Sequence, residues 1–131
     1  MTDSSDDLWP DLTGEPSQKP PLLILREQAA KLGAKTSNII EAEVDAYPDN
    51  KGRLHIRFTL KAPALNGYEY TLFKIIQPID LYPVYFSDSD ADLWDDNNLK
   101  NEREFKQYLE DVFKSEHTVN IIRSLIAQSK N

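Results

Sequence analysis

Residues 39–61 read IIEAEVDAYPDNKGRLHIRFTLK, and the alternation within that stretch decides the fold. Ile40, Ala42, Val44 and Ala46 alternate with Glu41, Glu43 and Asp45, while Leu54, Ile56, Phe58 and Leu60 alternate with His55, Arg57, Thr59 and Lys61. A period of two puts one set on each face of a strand. Residues 48–52, PDNKG, hold the turn formers between the two runs. The strands therefore zip into a hairpin. A register with Val44 opposite Ile56 and Ala42 opposite Phe58 also sets Glu43 opposite Arg57 and Asp45 opposite His55, so apolar meets apolar inside and acid meets base outside.

Working outward, residues 62–67 form a connection in which Asn66-Gly67 supplies the positive backbone angles of a tight turn. A third strand over 68–76 is apolar on both sides, with Tyr68, Tyr70, Leu72 and Ile76 on one and Phe73 and Ile75 on the other. Moving the turn by one residue would reverse which side is buried. A fourth strand over 81–86 contains Pro83, which confines it to a sheet edge or a bulge. Upstream, Pro20-Pro21 opens a helix whose Leu22, Leu25, Ala29 and Leu32 fall at helical spacing, with Arg26, Glu27 and Lys31 on its outer face. It is expected to end within 33–37, where Gly33 and then Thr36, Ser37 and Asn38 favour local bonds. Downstream, Asn101 caps a helix with Glu104 at its third position, and Phe105, Tyr108, Leu109, Val112 and Phe113 form its stripe. Thr118 is the expected cap of a last helix carrying Val119, Ile122, Leu125 and Ile126. The order implies a two-layer α+β fold: a four-stranded antiparallel meander with one N-terminal helix and two C-terminal helices packed on one face.

The chain has 131 residues, enough for one hydrophobic core. Its 15 Lys plus Arg against 22 Asp plus Glu give a net charge of -7. That charge is localised. Residues 1–20 hold Asp3, Asp6, Asp7, Asp11 and Glu15 against Lys19 alone, and residues 87–97 hold Asp88, Asp90, Asp92, Asp95 and Asp96 with no base, which leaves +2 on everything else. The expected organisation is a flexible acidic tail over 1–19 and one domain over 20–131, with an acidic loop at 87–100. The acidity argues against nucleic acid and anionic membranes as partners and favours a basic or neutral protein. No cysteine is present, which excludes disulfides, thiolate nucleophiles and cysteine-ligated zinc. The longest aliphatic run, residues 22–25, is too short to span a membrane, and the opening MTDSSDDLWP lacks the features of a secretory signal, so a cytoplasmic location is expected.

No catalytic signature survives a check of spacing. The two histidines have no recognisable companions: His55 is expected to pair with Asp45 across the strands, and His117 to be a linker residue. Phosphate loops and the G-x-S-x-G, H-E-x-x-H and Walker patterns are absent. Asp88, Asp90 and Asp92 resemble the start of a calcium loop, but Leu93 and Leu99 stand where glycine and glutamate are required. No enzyme, cofactor or metal site is therefore expected. What stands out is that both tryptophans occupy one frame, DLWPD at 7–11 and DLWDD at 92–96. A tryptophan in an acidic flexible stretch buries much area for few ordered bonds, while its carboxylates steer a basic partner. The competing expectation is that Trp9 and Trp94 fold back over the protein's own sheet.

The candidate partner-binding residues are Leu8, Trp9, Asp11, Leu12, Tyr68, Tyr70, Asp92, Leu93, Trp94 and Asp95. They describe a non-catalytic protein–protein interaction module of inhibitor, immunity or accessory-subunit type, with a homodimer through the exposed sheet face as a further expectation. The alternative is a small-molecule or metal-binding domain with a pocket between helices and sheet, lined by Tyr82, Tyr85 and Tyr108.

Overall fold

The loop of the first hairpin has three residues, and Gly52 must be the last of them. In the computed structural model, which describes residues 7–86 and 98–130, Gly52 has φ +78°, the left-handed angle that closes a type I turn with a bulge. Asp49 N–H donates to Arg53 O at 2.9 Å, and Gly52 N–H to Asp49 O at 3.4 Å. The expected register would have placed Gly52 in the strand opposite Pro48. Instead β1 (Glu41–Pro48) and β2 (Leu54–Ala62) slide by two residues, with Val44 facing Phe58 and Ala42 facing Leu60. A slide of two preserves the faces, so the apolar side still points inward.

β2 pairs antiparallel with β3 (Tyr68–Gln77), and β3 with β4 (Tyr85–Phe86), giving the meander order β1-β2-β3-β4. Asn66 and Gly67 both take positive φ between β2 and β3, as the Asn-Gly pair predicts. Within β3 the pairing jumps from Phe58–Phe73 to Thr59–Thr71, which leaves Leu72 as the extra residue of a β-bulge. The bulge overturns the expected division of this strand. Tyr70 and Tyr68 pair with Leu60 and Ala62, so they share the helix-facing side with Phe73 and Ile75, and Leu72 also packs against the core.

The fourth strand is shorter than the expected 81–86. Leu81 sits at φ +82°, outside strand geometry, and Pro83 has no N–H to offer a ladder. Val84 bonds instead to Leu99, N–H to O in both directions at 2.8 and 2.9 Å, so strand pairing with β3 is confined to Tyr85 and Phe86.

α1 (Pro21–Lys35) starts with proline at its first position, and the free Leu22 N–H donates to Gln77 Oε1 at 3.2 Å. Gly33 lies inside the helix rather than capping it; the chain turns at Ser37 and Asn38, both at positive φ, and the Thr36 hydroxyl holds both the N–H and the O of Ile40. α2 (Glu102–Phe113) is capped as expected, Asn101 Oδ1 accepting from Glu104 N–H at 2.9 Å. α3 (Glu116–Ser129) is capped by Ser115, not Thr118. Ser115 Oγ accepts from Thr118 N–H at 3.2 Å, and Thr118 is buried inside the first turn, so the helix starts earlier and includes His117.

All three helices lie on one face of the sheet. Ile24 and Leu25 of α1, and Phe105 and Leu109 of α2, close over Ile56, Phe58, Phe73 and Ile75. Phe58 stacks on Phe73 with ring centres 5.2 Å apart and meets Phe113 at 5.4 Å. Leu125 of α3 joins Ile40 and Ala62 in a smaller cluster at one end.

Candidate functional site

The acidic tail is anchored where it meets the helices. Glu102 N–H, free at the start of α2, donates to Gln18 Oε1 at 2.8 Å, and Glu102 Oε1 accepts from Lys19 N–H at 2.7 Å. Tyr82 donates its hydroxyl to Lys19 O at 2.7 Å, and Lys19 Nζ meets Glu27 at 2.8 Å. The Lys106 ammonium, and after it the Lys19 N–H, hold the Glu102 carboxyl below its ordinary range.

Upstream of that anchor the chain projects outward. Leu8, Trp9 and Leu12 are 91%, 75% and 69% exposed, so Trp9 does not cover the sheet. Two side-chain turns shape the segment: Trp9 N–H donates to Asp7 Oδ1 at 3.0 Å, and Thr13 donates its hydroxyl and its N–H to Asp11 Oδ1 at 2.6 and 3.0 Å. Those bonds, the hydroxyl first, lower the Asp11 carboxyl below its ordinary value. Asp92, Leu93, Trp94 and Asp95 lie outside the described residues.

Tyr68 and Tyr70 gather at the opposite end of β3, against α3. The Tyr70 hydroxyl lies 3.2 Å from His117 Nε2, and Tyr68, 49% exposed, opens the mouth of a cleft of about 420 Å³ that Asn120 and Ser124 also line. His117 is thus a contact of Tyr70 on the helix side, not a linker residue.

An apolar outer sheet face, expected if the tyrosines pointed that way, is not what the structure shows. That face carries a ladder of charges. Arg57 meets Asp45 at 3.0 Å, and Lys61 lies between Glu43 and Glu69. His55 pairs with Asp49 at 2.9 Å rather than with Asp45, because the slid register brings Arg57 to Asp45 and stacks Tyr47 on the His55 ring. Burial pushes the Asp49 carboxyl up, but bonds from the Arg53 N–H, His55, the Lys51 N–H and the Arg53 side chain outweigh it and hold the group well below the usual carboxylate range.

The three tyrosines of the expected pocket each have a packing or pairing partner in the fold. Tyr82 packs edge-on against Phe105, and burial, then Glu102, raises its phenol above the ordinary value. Tyr108 packs against Phe73 and Phe86, and Tyr85 pairs with Ile76 in the sheet. The larger cavity lies between α1 and the two C-terminal helices, a groove of about 650 Å³ floored by Phe58, Leu60, Leu72, Leu109 and Phe113. Five lysines line it, Lys19, Lys31, Lys35, Lys106 and Lys114, against Glu27 and Glu110. From the sequence Lys31 is expected on a solvated outer face and Lys19 as the lone base of the tail, while Lys35, Lys106 and Lys114 carry no expectation. The usable signal was the spacing of Lys31 and Lys35, one helical turn apart beside the apolar stripe.

Among the described residues no group of three His, Asp or Glu converges to hold a metal ion, and no helix is long and apolar enough to cross a membrane. Compared with protein-family models, with curated proteins and with solved structures, the chain has no significant match.

Proposed function

We propose that this protein is a non-catalytic interaction module that binds another protein of basic or neutral character through the segment 7–12. The observation that carries this reading is the exposure of Leu8, Trp9 and Leu12 beside Asp7 and Asp11, where the other described large apolar side chains are buried or half-buried except for Leu23, Tyr47, Tyr68 and Ile79. Trp9 is more exposed than any other described aromatic residue. An indole held in water has a large apolar area to gain on binding, and the flanking carboxylates add attraction for a cationic surface and keep the segment soluble. An inhibitor, immunity protein or accessory subunit has this form; that step is analogy from size and charge. The absence of cysteine accords with a reducing compartment such as the cytoplasm.

The test compares the full chain with its Leu8→Ser/Trp9→Ala variant as bait in extracts of the native cell, at low and at high salt. The reading predicts a bound protein that is lost with the variant and weakened by salt, while the variant keeps the parent's melting temperature. Retention of the same protein by the variant would refute it.

A further inference from the structure

The chain carries both halves of a complementary pair. One half is the tail, acidic and aromatic, with no base between residues 1 and 18. The other is the groove between α1 and α2, where five lysines stand against two glutamates in a protein whose overall charge is -7. Lys19, Lys106 and Lys114 have acidic partners in Glu27, Glu102 and Glu110, whereas Lys31 and Lys35 form no ion pair among the described residues. We propose that the segment 7–12 of one copy seats in the lysine-rimmed groove of a second copy, with Trp9 over the apolar floor and Asp7 and Asp11 against Lys31 and Lys35. This rests on the reading of the tail as a docking element but gives it a different receptor, the locally basic groove of a second acidic copy in place of a basic or neutral protein.

Three features favour this occupant. The apolar surface still open in the groove is small, Leu72 and Phe113 being half-buried over the buried Phe58 and Leu60, so it offers a bed for one ring on a tether rather than for a long alkyl chain. The stems of Lys31 and Lys35 extend that bed, and their ammonium groups, in no ion pair among the described residues, can meet carboxylates at the rim. In the isolated chain the segment stands in solvent, held by its own Asp turns and not seated on its own groove. That exposure favours a partner site in trans. Lys19 is at once the tail's anchor and part of the groove's rim. The ten residues from there to Trp9 reach at most about 33–36 Å, long enough to cross between copies. Reciprocal exchange about a twofold axis lets each copy give one tail and receive one, which closes the assembly at two.

Sedimentation of the full chain tests the pairing. The wild type should form dimers that weaken as salt rises. Trp9→Ala and Lys31→Glu/Lys35→Glu should each weaken self-association about tenfold or more while keeping the parent's melting temperature, since all three positions lie outside the core. An equimolar mixture of the two variants should recover part of the association, because the intact tail of one meets the intact groove of the other. A wild type that stays monomeric overturns the proposal, as does a dimer indifferent to both variants, or a tail shown by indole emission to seat on its own groove. If the wild type is monomeric yet Trp9→Ala still loses a different protein, the pairing falls and the docking reading stands. If Trp9→Ala changes neither, both fall.

Discussion

The outer face of the sheet and the groove under the helices both carry rows of basic side chains, and they use them in opposite ways. On the sheet, Arg53 and His55 share Asp49, Arg57 meets Asp45, and Lys61 lies between two glutamates. Those charges are spent within the molecule, where they reinforce strand register. At the groove the apolar floor separates the lysines, and two of them, Lys31 and Lys35, form no ion pair among the described residues. Charge that is internally matched specifies the fold; charge left over beside apolar surface is available to a second molecule. Position relative to burial, more than number, separates the two roles.

The comparison can be broken first at the residue beneath the groove. Phe58 is both floor and core, and Phe58→Ala should cost about 3–5 kcal/mol in denaturant unfolding, as for other large buried aromatics. A loss below about 1 kcal/mol would mean that the floor is loosely packed and that the groove is not a fixed feature.

The next largest effect is expected on the sheet side, at Asp49, whose carboxylate accepts from Lys51, Arg53 and His55. Its proton affinity is lower folded than unfolded, so its contribution is present above the ordinary value of about 3.9 and is lost as pH falls below that toward the folded value. Asp49→Asn should lower the melting temperature at neutral pH and flatten the acid limb of its pH profile. An acid limb identical to that of the wild type would remove Asp49 as the anchor of the turn.

A smaller effect, about 1 kcal/mol, is expected for Asn101→Ala, which removes the cap from the helix forming one wall of the groove. The smallest belongs to Lys31→Glu/Lys35→Glu, whose melting temperature should match the wild type; a clear drop would show that these lysines stabilise the fold and are not spare.

Much of this architecture was legible in the alternation of β1 and β2 and in the stripes of the helices, because burial on one face leaves a period in the sequence. Register was less so. Parity says which residues share a face, but a slide of two keeps parity, and only the need for a left-handed Gly52 in the loop selects between the alternatives. The bulge at Leu72 left no trace, because residues 70–76 are apolar at most positions and a change of face there breaks no pattern. Ser115 and Thr118 are both competent caps, and the choice between them depends on packing that buries Thr118. The outward Trp9 was only half legible, since its acidic neighbours allowed both a ring in solvent and one folded back over the sheet. The groove was not, since its lysines come from helices about seventy residues apart in sequence that only the fold brings together.

The most direct test of the central claim is a benzophenone side chain placed at position 9 of the full chain and irradiated in the native cell. The account predicts adducts with another polypeptide, those with a second copy mapping to α1 and α2 beside the groove. Adducts confined to the same chain's own sheet, or none at all, would contradict it.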